Sequence, residues 1–272
     1  MDPSAAGRRK PPSPERSEPM SAPPTPPSGV QYVYKHPEVI RFPLMEQPFI
    51  GFLLAFTAGL LNAWTLAHAD TFATVQSGNV VSSGFYLVDG DWGKFVPAIV
   101  SVLCFGVGSA LSGVLMTAFL RSGRSFTPGM LFSLFALLVI GTLLAALTDL
   151  DPRFIAYGVS FVAGGMGNSF HKNHGMLYGA VAVTFVVQMA FNFLMQAAFS
   201  RKGINGEPNL FWSGLFFLVL LGFAGGGGIG FVLDLWFNGA SIAFAAVLML
   251  VLAIVSLRQP GDPDPTPGGK FV

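Results

Sequence analysis

Long apolar runs separated by short polar or charged connections dominate the chain. Each run holds roughly the 17 to 25 residues that an α-helix needs to cross about 30 Å of hydrocarbon. One shorter segment, residues 71–88, is interrupted by threonine, serine, glycine and amide side chains. The pattern predicts eight helices, at residues 49–68, 71–88, 95–120, 128–148, 154–170, 176–199, 210–233 and 240–257.

The composition indicates that these helices lie in a membrane. Hydrophobic residues make up 52% of the chain and charged residues only 11%, whereas about 25% charged residues is usual for a soluble domain. The predicted fold class is therefore an all-α, polytopic transmembrane helical bundle with six to eight membrane segments. Membrane lipid is its expected surrounding.

The two ends of the chain differ from the apolar centre. Residues 1–46 form a predicted tail: the part up to residue 30 is rich in proline, serine and charge and is expected to be disordered, and the rest suits the membrane interface. Residues 47–258 form the transmembrane domain, and residues 259–272 a flexible tail. No cleavable signal precedes the first helix, so that helix is expected to direct insertion.

The transmembrane domain contains a predicted internal duplication, with repeats at about 49–149 and 154–257. AGLLNA at 58–63 aligns with GGMGNS at 164–169, so that Asn62 is matched with Asn168. Membrane helices also favour small residues where they touch, which produces similar patterns without duplication. The remaining matched pairs are Gly59 with Gly165, Gly108 with Gly225, Gly113 with Gly230 and Phe126 with Phe237.

Two topologies are compatible with this duplication. If residues 71–88 and 176–199 both cross, eight helices span and the halves have the same orientation. If both segments enter the membrane and return, six helices span and the halves are inverted. The second topology places both tails and most basic residues in the cytoplasm, as the positive-inside rule prefers. Because 176–199 is long and apolar enough to cross, seven or eight crossings stay open.

The polar stretch 59–84 is the candidate functional region. Non-helical backbone survives in a membrane only where protein or water covers it, and Ser77-Gly78-Asn79 has the residues for such a break. Gly78 tolerates non-helical geometry and Asn79 tolerates left-handed values. Together with Asn62, this predicts a polar site where the two halves meet. The alternative is that the amides only join helices by hydrogen bonds.

Other chemistries receive little support from the sequence. Cys104 is the single cysteine, which excludes an intramolecular disulfide. His171 and His174 lack a nearby carboxylate or cysteine for a metal site, and the glycine run at 222–230 lacks the strand and lysine of a phosphate loop. No nucleophile–base arrangement or basic patch is present. We therefore expect no enzymatic activity, cofactor, metal or nucleic-acid partner.

These motifs carry a resemblance to a known family. The chain resembles the YoaK-like family of bacterial multi-pass membrane proteins of unknown function, and the resemblance implies a bacterial plasma-membrane location. Asn62 stands where that family usually has aspartate, Ser77 where it has threonine, and Gly167 where glutamine is expected. The positions that carry the resemblance are Gly59, Asn62, Ala63, Ser77, Gly78, Asn79 and Asn168, and Thr184 is the remnant of a second-half Thr-Gly element.

The sequence favours a small-solute transporter or exporter over other functions. Its expected site lies between broken helices of the two halves, and the substrate is an unidentified small molecule. The alternative is a non-transporting membrane scaffold or sensor whose proline-rich tail binds a partner. A homo-oligomer is compatible with either function. The candidate substrate-binding residues are Gly59, Asn62, Ser77, Gly78, Asn79, Asn168 and Thr184.

Overall fold

The described part of the chain folds almost entirely into α-helices. A computed structural model describes residues 42–201, 204, 207–258 and 261–262; the predicted N-terminal tail up to residue 41 and most of the C-terminal tail lie outside them. A short 3₁₀ helix at Leu44–Glu46 precedes the helices. These are α1 Pro48–Ala69, α2 Gln76–Asp89, α3 Trp92–Arg121, α4 Thr127–Leu147, α5 Pro152–Ser169, α6 Val183–Phe199, α7 Asn209–Asp234 and α8 Ala240–Arg258.

Five of the helices are long and apolar enough to cross a membrane, namely α1, α3, α4, α7 and α8. Helix α6 is apolar but shorter, with 17 residues. The eight helices of the sequence prediction all occur, and the all-α membrane-type bundle is confirmed. Two of them begin later than predicted, since α2 starts at Gln76 instead of residue 71 and α6 at Val183 instead of residue 176.

A β-hairpin replaces the first turns of the predicted sixth helix. Strands β1 Lys172–Asn173 and β2 Met176–Leu177 pair antiparallel. The two residues between them, His174 and Gly175, have φ values of 51° and 76°, as in the two-residue turns that match strand twist. Met176 and Leu177 are paired in β2, and Gly179 is left-handed with a φ of 58°, so α6 begins only after them.

Three pairs of helices form the bundle. In two of the pairs the helices cross while running in the same direction, and in the third pair they run in opposite directions. Helix α1 packs against α7, α3 against α5, and α4 against α8. Asn238 Nδ2, just before α8, donates to Ala145 O near the end of α4 at 2.9 Å, and Asp262, after α8, accepts from Thr127 N at the start of α4. Helices α4 and α8 therefore run in opposite directions.

Glycines let the backbones touch in both parallel crossings. A Cβ atom at Gly108 would overlap Phe161 O, and one at Gly226 would overlap Phe56 O. Such close contact is the usual role of small residues between membrane helices. The glycine-rich run of α7 uses one face for this purpose: Gly222 also lies against Phe52 O, with 2.6 Å to an added Cβ.

The two ends of the bundle carry opposite charge. Trp64 Nε1 donates to Asn238 Oδ1 at 2.8 Å, which places the end of α1 beside the start of α8. At the opposite end, the Phe126 and Phe170 rings stack, which places the start of α4 beside the end of α5. Among the described residues, the first end carries Asp70, Asp89, Asp91, Asp149, Asp151 and Asp234 with Lys94 and Arg153, whereas the second carries Arg121, Arg124, Lys172, Arg201 and Arg258 with Glu46, Glu207 and Asp262. We call them the acidic end and the basic end.

Candidate functional site

The chain leaves helical geometry between α1 and α2, at residues 70–75, which we call the first break. Helix α1 ends where Asp70 adopts a left-handed conformation with φ 49°. The chain then turns back along α1, because Ala73 and Thr74 bond to Asn62, seven residues before the helix end. At 1.5 Å per residue this is about 10 Å inside the bundle. Thr71, Ala73 and Thr74 are buried there.

The side chain of Asn62 satisfies the backbone of the first break. Its Oδ1 accepts from Ala73 N and Thr74 N, both at 3.0 Å, and its Nδ2 donates to Thr74 Oγ1 at 2.5 Å. A buried backbone N–H without a partner costs about 1 to 3 kcal/mol. Asn62 therefore stabilises a non-helical segment that would otherwise be unfavourable in an apolar bundle.

Asn79 satisfies the other half of the first break. Its Oδ1 accepts from Phe72 N at 3.2 Å and from Thr71 Oγ1 at 3.1 Å, while its Nδ2 donates to Phe72 O at 2.6 Å. Ser101 of α3 also donates to Phe72 O, at 3.0 Å, and its hydroxyl lies 2.7 Å from that of Ser160 in α5. Asn62, Asn79, Ser101, Ser160 and the first break form one buried network, which we call the amide network.

The predicted position of the break is wrong by several residues. Ser77, Gly78 and Asn79 lie in the first turns of α2 and are helical, whereas the non-helical backbone lies immediately before them. Gly78 acts by its lack of a side chain, since an added Cβ would lie 3.2 Å from the Phe72 ring. Asn79 acts by folding back to Phe72, as a residue in the first turn of a helix is able to do.

The structure gathers only some of the predicted site residues. Asn62, Gly78 and Asn79 meet at the first break. Gly59 lies elsewhere, at the crossing of α1 with α7, and Asn168 donates to Ser112 Oγ at 2.9 Å between α5 and α3. The remaining two, Ser77 and Thr184, are exposed on α2 and α6.

Sequence analysis missed the serines of the amide network. Ser101 and Ser160 are single hydroxyl residues in apolar helices, and each is fully buried. Most such serines bond to their own helix backbone, so nothing in the local pattern distinguishes these two. Only the packing of α3 against α5 brings them to each other and to Phe72.

A second break, at residues 170–182, lies between α5 and α6 at the basic end. The β-hairpin within it is attached to the 3₁₀ helix before α1: His174 N donates to Glu46 O, and Gly175 N donates to a Glu46 carboxylate oxygen at 3.1 Å. Asn173 and Tyr178 are fully buried beside Gly51. Their side-chain amide and hydroxyl have no hydrogen-bond partner among the described residues, in contrast to the paired amides of the first break.

The pKa of His174 makes the hairpin sensitive to acid. Burial among Phe42, Phe211 and Trp212 lowers this pKa below its usual value of 6.5, while the Glu207 carboxylate, 3.7 Å from Nε2, opposes the shift. The unfolded chain binds the proton more readily than the folded hairpin does. The contribution of neutral His174 to the stability of the hairpin is therefore complete above about pH 6.5 and decreases as the pH falls below that value.

We expect Glu207→Gln to increase the loss of hairpin stability on acidification, since the substitution removes the carboxylate that favours the charged imidazole. His174→Asn should abolish it, because asparagine does not titrate and tolerates the left-handed φ. Amide hydrogen exchange of residues 172–178 between pH 5 and pH 8 measures the effect. A Glu207→Gln hairpin that resists acid better than the wild type would contradict this account.

The chemistry that these groups offer is neutral hydrogen bonding. The amide network consists of amides, hydroxyls and backbone groups, without a carboxylate or a cation. Among the described residues, no group of three or more histidine, cysteine, aspartate or glutamate side chains is placed to hold a metal ion. The arrangement is suited to holding polar groups within an apolar bundle.

Comparison with known proteins gives a family without an assigned activity. No curated protein and no solved structure matches the chain. One family model, described as a protein of unknown function (DUF1275), matches residues 50–255. This range begins in the first turn of α1 and ends in the last turn of α8, so it covers both breaks and nearly all of the eight α-helices. The chain, whose described part is a membrane-type helical bundle, therefore belongs to the DUF1275 family of proteins of unknown function.

Proposed function

We propose that the protein is a carrier for a small, uncharged, polar solute, in the plasma membrane of a bacterium. The observation that carries this proposal is the first break: buried, non-helical backbone about 10 Å inside an apolar bundle, held by two amide side chains. Interrupted helices near the middle of the membrane form the solute sites of many carriers. The YoaK-like resemblance agrees with the family match and adds no substrate.

The direction of the helices supports two inverted halves. The first break starts at the acidic end, and α2 then returns to the acidic end, where α3 begins. The second break starts at the basic end, and α6 then returns to the basic end. There Asn209, at the start of α7, donates to Ser200 O. With α5 as a sixth crossing, each half has three crossings. Carriers with inverted halves commonly place one interrupted segment from each half opposite the other.

Matched contacts support an origin by duplication. The pair Gly108 and Phe161 in the α3–α5 crossing has the same geometry as Gly226 and Phe56 in the α7–α1 crossing. When α5 is matched with α1 and α3 with α7 in this register, the contact of Gly164 with Phe105 also corresponds to that of Gly59 with Phe223. Gly59 thus corresponds to Gly164 and Gly108 to Gly226, each one residue away from the sequence alignment, and Asn62 corresponds to Gly167 instead of Asn168.

The charge of the two ends supports an orientation. Five of the cationic side chains named above lie at the basic end and two at the acidic end, and cytoplasmic loops carry an excess of lysine and arginine. We place the basic end, with both chain termini, in the cytoplasm. The second break then opens toward the cytoplasm and the first toward the opposite side.

Solute uptake tests the carrier directly. Full-length protein in liposomes is incubated with a small-molecule extract of bacterial cells, and retained solutes are measured by mass spectrometry. We expect one or more uncharged polar solutes to accumulate above protein-free liposomes, and Asn79→Leu to reduce this accumulation to the background. Equal retention by the wild type, Asn79→Leu and empty liposomes would count against a carrier.

Water access to the first break gives a second test that needs no substrate. Thr74→Cys, in a Cys104→Ala background, should react with a membrane-impermeant maleimide from the acidic side, because a carrier must open its site. Ala58→Cys is the control, since Ala58 is equally buried in the middle of α1 and should stay unreactive. A Thr74→Cys protein that is as unreactive as the control would favour a rigid bundle.

One observation favours the alternative function of a scaffold or sensor. The oxygen and the nitrogen of the Asn62 amide and of the Asn79 amide all have hydrogen-bond partners within the protein, as in a static structural element. The partner would then bind the N-terminal tail, which lies outside the described residues. Deletion of residues 1–30 should leave solute uptake unchanged in a carrier and abolish partner binding in a scaffold.

A further inference from the structure

Helix α6 carries a row of polar side chains on its outer face. Thr184, Gln188, Asn192 and Gln196 follow one another at four-residue spacing, and all four are exposed. The buried residues of α6, Val186, Ala190 and Phe193, lie on the opposite side and pack against α7. Helix α7 is the only extensive neighbour of α6 among the described elements. We call the four residues the amide row.

The amide row is unfavourable if it faces lipid. Its neighbours on α6 are apolar, and an amide without a hydrogen bond in hydrocarbon costs on the order of several kcal/mol. Gln196 Nε2 donates to Asn192 Oδ1 at 3.2 Å, which satisfies one donor and one acceptor. Gln188, in the middle of the row, has no hydrogen-bond partner among the described residues, so its amide requires a partner outside them.

The corresponding face of α2 shows what a lipid-facing surface looks like in this fold. When the first residues of the two helices, Gln76 and Val183, are matched, Gln188 corresponds to Val81 and Asn192 to Phe85. Val81 and Phe85 are 74% and 64% exposed, and they are apolar. The same matching pairs Thr184 with Ser77 and Gln196 with Asp89, which are also polar, so the two faces differ at Gln188 and Asn192.

We propose that the amide row is the contact surface between two copies of this chain. An amide side chain offers both a donor and an acceptor, so a row of amides is complementary to itself. Two copies inserted in the same orientation are related by a two-fold axis along the membrane normal. Around such an axis, each residue near the contact faces its own counterpart, so Gln188 meets Gln188 and Asn192 meets Asn192.

Cross-linking in native membranes tests this pairing. In a Cys104→Ala background, Gln188→Cys and Asn192→Cys should each form an intermolecular disulfide on mild oxidation. Leu194→Cys is the matched control, because Leu194 is exposed on the same helix but points toward the flank of α6. We expect the control to react at least about tenfold more slowly, since a disulfide needs Cα atoms within about 7 Å.

Counting subunits gives a second, independent measurement. Full-length protein carrying one fluorophore per chain is placed at low density in lipid bilayers, and bleaching steps are counted. Two-step spots should dominate for the wild type, and Gln188→Leu with Asn192→Leu should shift the population to one step. One-step spots for the wild type, or equal disulfide rates at positions 188 and 194, would overturn the proposal. Neither result depends on solute transport.

Discussion

Gly108→Ala is expected to be among the most damaging single-methyl changes in this protein, with a loss of about 3 kcal/mol or more in the free energy of unfolding. The added Cβ would overlap the carbonyl oxygen of Phe161, which is backbone and has no rotamer to change. The two helices must therefore separate, and this disturbs the nearby bonds of Ser101 to Ser160 and of Ser112 to Asn168. Reversible unfolding in mixed micelles measures the change.

Gly106→Ala is the matched control for this prediction. Gly106 lies two residues away on the same helix, and an added Cβ there meets nothing within 4 Å. Because alanine is the better helix former by up to about 1 kcal/mol, this variant should be neutral or slightly more stable. Equal losses for the two variants would show that the crossing does not depend on direct contact between backbones.

The second crossing supplies an internal repetition of the same comparison. An added Cβ at Gly226 would overlap Phe56 O, as one at Gly108 would overlap Phe161 O, whereas a Cβ at Gly228 would have open space around it. If the two crossings descend from one ancestral unit, then Gly226→Ala should match the loss of Gly108→Ala and Gly228→Ala should resemble Gly106→Ala. A large difference between the two crossings would argue against equivalent halves.

The apolar pattern was sufficient to predict the helices because membrane helices depend on composition and length. Each of the eight α-helices lies where a predicted one does, and several ends agree to within one or two residues, as for α7 and α8. The hairpin was missed because Met176 and Leu177 continue the apolar run. Left-handed residues at His174, Gly175 and Gly179 interrupt the helix there, and a hydrophobicity pattern does not record φ.

The position of the first break could not be predicted from local sequence for a different reason. Gly78 is the residue with the greatest backbone freedom, yet it is helical. The non-helical conformation of residues 70–75 is stabilised by Asn62 from one helix and Ser101 from another. Contacts between residues this distant in sequence are set by packing, which also explains why Ser160 carried no recognisable signal.

The sequence contains a candidate repeat, but it does not determine the register. Adjacent glycines at 164 and 165, and again at 225 and 226, allow two alignments that differ by one residue. The carbonyl contacts distinguish them, since an added Cβ would overlap a backbone oxygen of the facing helix at Gly164 and Gly226 but not at Gly165 or Gly225. The choice matters for function, because it removes the apparent equivalence of Asn62 and Asn168.

Asn62→Leu is expected to remove the first break as an ordered element. The substitution leaves the N–H groups of Ala73 and Thr74 buried without their acceptor, at about 1 to 3 kcal/mol each. The free energy of unfolding should fall by about 3 kcal/mol or more, and amide exchange at residues 72–75 should accelerate more than exchange in α3 or α7. Mixed-micelle unfolding and hydrogen exchange measure the two effects.

Asn62→Asp distinguishes the effect of losing the hydrogen bonds of Asn62 from the effect of changing its packing. A carboxylate keeps the acceptor for both backbone N–H groups, and the Thr74 hydroxyl is able to reverse its bond and donate to the second oxygen. The aspartate variant should therefore retain slow exchange at residues 72–75, even though a buried charge lowers overall stability. If Asp and Leu at position 62 accelerate exchange equally, the hydrogen bonds accepted by Oδ1 are not what holds residues 73 and 74 inside the bundle. The carrier proposal then loses the element on which it depends.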